Sequence, residues 1–289
     1  MDKHDLNVAI ITGASSGIGE AFVKQVVKVH GIYGSLPFQE IWIIARRTEK
    51  LELLKSHIDD PRIVCISADL SDTEDIKMLE EKLEAETPKV GLLINCAGMG
   101  KRGNVIDKDA KSIEDTVTLN CTALSTLTRI CLPYMIRENI VFSRFNGPRI
   151  INVASSAAFL PQPGFAVYSA SKAYVVSFSR ALDIELRPYH IAVTAVCPGP
   201  VATDFQVNAT DGQSSEFTGF RKFIVADPDK LAAASIKASR MGRTMLVYGF
   251  MQKLLHVVSK IVPTYWIIAL EGYMARRKEK NEVKDLSND

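Results

Sequence analysis

Residues 8–19 read VAIITGASSGIG, an apolar run followed directly by a glycine-rich turn. The apolar run predicts a short buried strand, and the segment from Gly17 to Val29 carries the spacing of a helix. Glycines between a strand and a helix let backbone N–H groups and the positive end of the helix approach a phosphate, because no side chains obstruct it. The stretch therefore predicts a phosphate-binding strand–turn–helix unit.

The rest of the chain continues this alternation of short apolar runs and helix-period segments. Such an alternation implies an α/β fold, here a Rossmann-type doubly wound parallel sheet with helices on both faces. A length of 289 residues is near the upper size of one domain. The predicted strands lie at 8–12, 41–45, 63–67, 91–95, 149–154 and 191–197, and the predicted helices at 17–29, 73–84, 113–137, 169–186 and 227–239.

Three segments are expected along the chain. Residues 1–240 would form one Rossmann-type domain, residues 241–276 a helical extension and residues 277–289 a polar tail. Within the domain, the loop over 203–218 is polar and contains glycine, which is typical of a mobile lid over a site.

The composition excludes several classes of function. The net charge is +2, and no basic block precedes the short run at 276–278, so nucleic acid is not an expected partner. Five widely separated cysteines indicate reduced thiols in a cytoplasmic protein rather than disulfides. The first apolar run is too short for a signal peptide. The five histidines are scattered without ligand spacing, so no metal site is expected.

Residues 13–17, GASSG, also fit the G-x-S-x-G turn of many hydrolases, which would make Ser15 a nucleophile. That turn needs earlier strands and an oxyanion loop, yet only twelve residues precede Gly13. Gly19 has no role in such a turn. The hydrolase interpretation is therefore the weaker one, and it stays open as an alternative.

Two arginines, Arg46 and Arg47, follow the second predicted strand. NAD-binding sheets commonly carry an acidic residue there for the ribose hydroxyls. An arginine fork donates paired hydrogen bonds to phosphate oxygens, whereas a carboxylate would repel them. The pair therefore favours the 2′-phosphate of NADP(H). Alternatively, both arginines merely begin a solvated helix with Glu49 and Lys50.

Tyr168 and Lys172 are four residues apart at the start of a predicted helix. On a helix the two side chains share one face, about one turn apart. A free tyrosine titrates at about pH 10, and a nearby ammonium favours its ionised form. The pair is therefore a candidate general acid and base at neutral pH.

With these motifs the chain resembles the short-chain dehydrogenase/reductase family over most of its length. The matching motifs are TGASSGIG at 12–19, NCAG at 95–98, YSASK at 168–172 and PG at 198–199. Cys96 stands where the family usually carries alanine. The resemblance implies an NADP(H)-dependent oxidoreductase that transfers a hydride between NADPH and a ketone or secondary alcohol, with Tyr168 as general acid and base.

The resemblance also implies a catalytic set of Asn120, Ser155, Tyr168 and Lys172. Ser155 would hydrogen-bond the substrate carbonyl, and Asn120 would hold a proton-relay water. Ser156 follows directly, so both serines are candidates for the carbonyl contact, and the spacing from Tyr168 favours Ser155. A protein that binds the nucleotide and does little chemistry is the alternative function, against which the intact set argues.

For the cofactor, the resemblance implies that Lys172 binds the nicotinamide ribose, that Asn95 supports the adjacent turn, and that Asp69 meets the adenine. Thr203 would contact the carboxamide. The full set expected to bind NADP(H) is Gly13, Ser15, Ser16, Gly17, Ile18, Gly19, Arg46, Arg47, Asp69, Leu70, Asn95, Ala97, Gly98, Tyr168, Lys172, Pro198, Gly199, Val201 and Thr203.

The extension carries apolar residues at helical spacing from Leu246 to Val262, until Pro263 interrupts it. A second apolar run follows Pro263 at 265–270. Neither of these two runs reaches the roughly 20 apolar residues of a membrane span. Three interpretations stay open and can overlap: packing on the core or a second subunit, an apolar wall over the substrate, or attachment to a membrane surface. Similar extensions occur in the subgroup that resembles hydroxysteroid dehydrogenases and long-chain 3-oxoacyl reductases, which favours a hydrophobic substrate. The resemblance further suggests a homo-oligomer, either a dimer or a tetramer.

Overall fold

The computed structural model describes residues 6–29, 38–136, 146–202, 225–263, 265–266 and 268–269. The predicted lid over 203–218, which includes Thr203, lies outside these ranges. The basic run at 276–278 and the polar tail over 277–289 lie outside them as well.

Seven strands form one parallel sheet within the described part of the chain. They are β1 (Asn7–Thr12), β2 (Glu40–Ala45), β3 (Ile63–Ser67), β4 (Lys89–Asn95), β5 (Arg149–Val153), β6 (Ala192–Pro198) and β7 (Met245–Tyr248). Their order across the sheet is β3-β2-β1-β4-β5-β6-β7. The predicted doubly wound sheet is thereby confirmed.

The α-helices of the described residues lie between successive strands, except for the last, which follows β7. They are α1 (Gly17–Lys28), α2 (Thr48–Ile58), α3 (Thr73–Glu86), α4 (Ala110–Val117), α5 (Leu124–Met135), α6 (Ala166–Glu185), α7 (Pro228–Arg240) and α8 (Phe250–Ile261). A π-helical turn, Thr118–Ala123, joins α4 to α5.

The core lies on both faces of the sheet, because successive residues of a strand point to opposite sides. In β1, Ala9 and Ile11 pack with residues of α1 and α7, whereas Val8 and Ile10 pack with residues of α3, α5 and α6. All four side chains are fully buried. Burial on both faces explains why the strands read as continuous apolar runs rather than as alternating ones.

The sheet changes direction of winding at β1. The chain proceeds outward from β1 to β3 on one side, then crosses to β4 and proceeds to β7 on the other. In doubly wound sheets the ligand crevice lies at such a switch point, outside the carboxyl ends of the strands. The glycine turn after β1 therefore packs against the segment that follows β4, and it shares one edge of the sheet with the segments that follow β5 and β6.

The seventh strand was not expected. Leu246 and Val247 were assigned to a helix, but they lie in β7 and pair with Val196 and Cys197 of β6. A run of four apolar residues cannot distinguish a strand from a buried helix by periodicity. The helical assignment was therefore wrong for these two residues. The helix itself begins at Phe250, after Gly249 with its φ of 102°.

Two other elements differ from expectation. α2 was absent from the predicted helices and appeared only as the alternative interpretation of the arginine pair, because only Leu51 and Leu54 of its residues are buried and its apolar face is short. The single helix predicted over 113–137 is divided by the π-helical turn, which places Asn120 in the buried part of that turn. Among the described residues, no helix is long and apolar enough to cross a bilayer.

Candidate active site

A cavity of about 1110 Å³ lies at the carboxyl ends of the strands. It extends from the glycine turn after β1, along the ends of β2 and β3, to the start of α6 and to Leu255 of α8. The predicted site residues on its wall are Gly13, Ser15, Ser16, Gly17, Ile18, Gly19, Arg46, Arg47, Asp69, Leu70, Ala97, Gly98, Ser155, Tyr168, Lys172, Pro198, Gly199 and Val201, together with Ser156. Asn95 and Asn120 are buried behind this wall, and Thr203 lies outside the described residues.

The glycine turn leaves no room for side chains. Gly13 has a φ of 65°, a conformation that favours glycine, and a Cβ on Gly19 would lie 2.1 Å from the carbonyl oxygen of Gly13. The residue before α1, Ser16, makes no side-chain capping bond. The first N–H groups of the helix therefore face the cavity without a capping side chain, as phosphate binding at a helix N-terminus requires.

Thr12, the last residue of β1, holds this turn against the end of β4. Its Oγ1 accepts hydrogen bonds from the backbone N–H of Cys96, at 3.0 Å, and of Ala97, at 3.1 Å. Thr12 was not among the predicted site residues. Its position directly before the first glycine was the signal that could have identified it, since a strand's last side chain can reach the neighbouring strand end.

Arg47 and Arg46 lie side by side at one end of the cavity. Nη2 of Arg47 donates to the hydroxyls of Ser15, at 2.9 Å, and Ser16, at 3.0 Å. Nη1 of Arg46 lies 3.5 Å from a carboxylate oxygen of Asp69, and its side chain is 71% exposed. Exposed pairs of this kind contribute only about 0–1 kcal/mol. The Arg47 guanidinium and the two serine hydroxyls are therefore close enough to contact one phosphate, and the exposed Arg46 is only weakly held by Asp69, even though Arg47 also directly precedes α2.

The same contacts bear on the hydrolase interpretation. Ser15 is bonded to Arg47 rather than to a general base. No histidine is among the described residues that line the cavity. A serine nucleophile needs an adjacent base to remove its proton, so the described part of the site does not support Ser15 in that role.

Tyr168 lies on the first turn of α6, where its side chain is buried at the base of the cavity. Its ring stacks on Phe165 with 4.3 Å between centroids. The Tyr168 hydroxyl shares a hydrogen bond with the side chain of Ser155, which also accepts one from the N–H of Ala157 at 3.2 Å. Of the two adjacent serines, the hydrogen bond to the tyrosine is thus made by Ser155.

Burial controls the ionisation of Tyr168 and Lys172. Desolvation raises the pKa of Tyr168 to about 12, and the bond with Ser155 opposes that rise. Desolvation also lowers the pKa of Lys172 to about 8. The Lys172 ammonium donates to the carbonyl of Val153 at 2.9 Å and lies 5.7 Å from the centre of the tyrosine ring. The expected lowering of the tyrosine pKa is therefore not observed, because desolvation outweighs any effect of the cation.

Asn120 fixes the loop that follows β4. Its Oδ1 accepts from the N–H of Met99 at 2.9 Å, and its Nδ2 donates to the carbonyl of Met99 at 2.8 Å. Nδ2 also donates to the hydroxyl of Ser171 at 2.9 Å, which ties the loop to α6. The side chain thus holds protein groups on both sides, and the water expected beside Asn120 stays a prediction.

Asn95 belongs to a second buried network behind the cavity. Its Nδ2 donates to Thr128 at 3.0 Å and to Oδ1 of Asn152 at 2.9 Å. Asn152 in turn donates to Ser179 of α6 at 2.9 Å. The network joins the end of β4 to α5 and α6, which suits a supporting role rather than direct contact with a ligand.

The extension closes one end of the cavity through α8. Leu255 lies on the cavity wall. Gln252 is buried beside the floor, so that a Cβ on Gly199 would lie 2.0 Å from its amide nitrogen. The ring of His256 packs on Phe159, with 4.2 Å between centroids. An apolar wall over the substrate was one of the three interpretations of the extension, and the position of Leu255 supports it. The contacts of Gln252 and His256 were not predicted, because they depend on where the helix folds back.

The described side chains of the site offer hydrogen-bonding groups and positive charges rather than a set of metal ligands. Among the described residues, no group of three or more His, Cys, Asp or Glu could hold a metal ion. The cysteines Cys65, Cys96, Cys121, Cys131 and Cys197 are all unpaired.

Comparison with known proteins places the chain in a family. A family model described as short chain dehydrogenase matches residues 7–214, and the chain belongs to this family of oxidoreductases. It is 29% identical over 262 residues to 11-beta-hydroxysteroid dehydrogenase-like 3 of Arabidopsis thaliana, which covers 89% of this chain and 77% of that protein.

Two solved structures are similar to the fold. A short-chain dehydrogenase from Sphingobium yanoikuyae in complex with NADPH matches with a TM-score of 0.70 and 27% identity, over 96% of each chain. The bulky-bulky ketone specific alcohol dehydrogenase from Comamonas testosteroni matches with a TM-score of 0.68 and 27% identity, over 96% of this chain and 95% of that one.

Proposed function

We propose that the protein is an NADP(H)-dependent oxidoreductase that transfers a hydride between NADPH and a ketone or secondary alcohol. The observation that carries this proposal is the juxtaposition of Ser155, Tyr168 and Lys172 in the same cavity as the open glycine turn. The glycine turn offers a place for a pyrophosphate, and the serine and tyrosine hydroxyls together offer a place for a carbonyl oxygen.

The dinucleotide would lie along the wall from the arginine pair to α6. The N–H groups after Gly13 would hold the pyrophosphate, Arg46 and Arg47 the 2′-phosphate, and Lys172 the nicotinamide ribose. When bound, the nicotinamide supplies the hydride and accepts it in the reverse direction.

The chain's own residues handle the carbonyl oxygen and its proton. The Ser155 hydroxyl donates a hydrogen bond to the carbonyl oxygen and stabilises the negative charge that develops there. Tyr168 is protonated at neutral pH because burial raises its pKa to about 12, and its Oη gives that proton to the alkoxide. In the direction of oxidation, Tyr168 accepts the proton from the alcohol.

Cofactor choice is tested by titrating the protein with NADPH and NADH and following its fluorescence. We expect a preference for NADPH of at least about tenfold that falls in both Arg46→Ala and Arg47→Ala, since each variant loses charge-assisted bonds to a phosphate. Lys50→Ala, which removes an exposed cation of α2, is the matched control. If the protein binds neither NADPH nor NADH, the proposal is overturned.

For the substrate we propose a hydrophobic ketone, steroid-like or long-chain acyl. Leu119, Phe165 and Leu255 supply apolar surface to the cavity, and Phe165 stacks on Tyr168. The similarity to an 11-beta-hydroxysteroid dehydrogenase-like protein and to a bulky-ketone alcohol dehydrogenase supports this choice. Turnover on a panel of ketosteroids and long-chain ketones tests it, and activity confined to small polar ketones would contradict it.

We further propose that the protein acts in the cytoplasm as a homo-oligomer, a dimer or tetramer, with α8 in peripheral contact with a membrane. Phe250 and Ile261 of this helix are 81% and 76% exposed, and Trp266 beyond it is 71% exposed. Apolar side chains beside Lys253 and Lys260 suit the surface of an anionic bilayer. Sedimentation measures the oligomeric state.

A further inference from the structure

The loop that follows β4 is held directly over the catalytic tyrosine. Met99 is fixed by both side-chain groups of Asn120, and the N–H of Gly103 donates to the carbonyl of Gly164 at 2.9 Å. Between these two points, Gly100 packs so closely that a Cβ there would lie 2.5 Å from the ring of Tyr168. The two residues after Gly100 are therefore held at the mouth of the cavity.

Those two residues are cations. Lys101 and Arg102 both line the cavity and are exposed to solvent. The guanidinium of Arg102 lies 5.8 Å from the centre of the Phe165 ring, which itself stacks on Tyr168. An aromatic ring that packs against a guanidinium group fixes the orientation of that group. The N–H groups at the edge of the guanidinium then remain available to a ligand.

Among the described residues that line the cavity, no carboxylate lies beside Lys101 and Arg102. Asp69 is the one acidic residue among the described residues on the cavity wall, and it lies with Arg46 at the far end. Outside the wall, Asp107 of the same loop accepts from Asn104, and Asp109 caps α4. Among the described residues, the tyrosine end of the cavity therefore carries two exposed cations, Lys101 and Arg102, beside the apolar ring of Phe165.

We propose that Lys101 and Arg102 form an anion subsite, so that the substrate is an amphiphilic ketone carrying a carboxylate or phosphate remote from the carbonyl. This inference rests on the proposed function and narrows its substrate class. The apolar wall around Leu255 and Phe165 takes the hydrocarbon part, and the cationic mouth takes the oxyanion.

Matched pairs of ketones separate charge recognition from apolar binding. One pair is a long-chain oxo acid and its methyl ester, and the other is a 3-oxoacyl coenzyme A and the corresponding N-acetylcysteamine thioester. The first pair tests a carboxylate of the substrate itself, and the second tests the phosphates of a carrier. Each is assayed with wild type, Arg102→Gln, Lys101→Gln and the control Lys111→Gln, a 78% exposed lysine of α4 outside the cavity.

We expect Arg102→Gln to raise the KM of the charged member of at least one pair by about tenfold or more, because hydrogen bonds between charged groups are the strong ones. The KM of the neutral member and the values for Lys111→Gln should not change. Equal changes for charged and neutral members, or no change in either pair, would overturn the anion subsite.

Failure of the proposed function gives a different result. If no ketone is turned over, binding of the oxo acid to the NADPH-loaded protein is measured by calorimetry in wild type and Arg102→Gln. Binding that is lost in the variant supports the anion subsite without the reaction. Absence of binding in the wild type, or binding that the variant retains, overturns the anion subsite.

Discussion

Tyr168 and Lys172 are both shifted toward their neutral forms by burial. A buried neutral phenol keeps its proton until an alkoxide forms beside it, and it donates a strong hydrogen bond in a site that excludes water. Lys172 is held by the Val153 carbonyl near the ribose position that we propose for the cofactor. In the proposed reaction the Tyr168 hydroxyl gives the proton, and Lys172 acts as an ammonium only below its lowered pKa of about 8.

Replacing Tyr168 with phenylalanine should abolish turnover without abolishing nucleotide binding. The variant loses the hydroxyl and keeps the ring that stacks on Phe165. We expect kcat to fall by about 10²- to 10⁴-fold, the range of general acid–base catalysis. Steady-state turnover and NADPH titration measure the two effects. The control is Tyr174→Phe, which removes another tyrosine hydroxyl of α6, one that shares a hydrogen bond with Ser125 of α5. Similar losses in both variants would contradict the assignment.

The pH dependence of reduction should report the ionisation of Lys172. Its pKa lies at about 8, below its ordinary value of 10.5, so the side chain is charged below pH 8 and neutral above it. Tyr168 keeps its proton over this whole range because its pKa is about 12. We therefore expect kcat/KM for the ketone to fall as pH rises through about 8.

The matched variant for this profile is Lys172→Met, which has no group to titrate. Its residual activity should be low and flat over the same pH range. A wild-type profile that stays level from pH 7 to about 10 would contradict a role for the charged lysine.

At the scale of elements, α6 is tied to the rest of the site by two buried serines with similar contacts. Ser171 accepts from Asn120 at 2.9 Å and donates to the carbonyl of Tyr168 at 2.8 Å. Ser179 accepts from Asn152 at 2.9 Å and donates to the carbonyl of Val175 at 2.6 Å. Only the first connects α6 to the loop over the tyrosine.

Alanine at each serine should therefore separate stability from catalysis. Both Ser171→Ala and Ser179→Ala leave a buried amide donor without its partner, so each should lower the free energy of unfolding by about 1–3 kcal/mol. Only Ser171→Ala should also lower kcat, by about tenfold, because it frees Asn120 and the 99–103 loop. Denaturant titration and steady-state kinetics check this. Equal kcat values in the two variants would contradict a positioning role for Ser171.

Most elements could be predicted from the sequence because their signals are local. The strands of the doubly wound sheet are buried on both faces, so β1 and β2 appear as continuous apolar runs. β7 was not predicted because its four residues, which lie next to a helix, also match helical spacing. α2 was not predicted from an apolar pattern because most of its side chains are exposed to solvent.

The candidate site divides in the same way. The glycine turn and the Tyr168–Lys172 pair are contiguous motifs, so their spacing is visible in the sequence, and the family resemblance then assigned their roles. Arg102 reaches the cavity, and Gln252 packs against Gly199 of its wall, only through the tertiary packing of a loop and of α8. These contacts depend on the path of the chain in space. The periodicity of apolar residues in the sequence carries no information about that path.

At the scale of the whole molecule, α8 is the described helix with several apolar side chains exposed to solvent. Leu254 and Val257 are 48% and 52% exposed, and the one buried residue of the helix is Gln252. Solvent-exposed apolar surface of this extent marks an interaction site. The same helix closes the cavity with Leu255, so an interacting surface would lie beside the entrance for a hydrophobic substrate.

We expect the protein to co-sediment with vesicles that contain phosphatidylglycerol, and to do so less at high salt, because basic and apolar side chains act together in such contacts. The double variant Phe250→Asp with Ile261→Asp should remove this binding. Ile106→Asp, which alters a 91% exposed apolar residue outside α8, is the control. A wild-type protein that stays in the supernatant at low salt would contradict membrane contact.

The most direct test of the proposed function is the mass of the alcohol formed from a hydrophobic ketone with NADPH deuterated at C4. A bound nicotinamide presents one face to the substrate, so the product should carry one deuterium from one of the two C4-labelled stereoisomers and none from the other. Incorporation should disappear in Tyr168→Phe. Absence of labelled alcohol from every ketone of the panel, despite tight binding of NADPH, would contradict hydride transfer as the function of this protein.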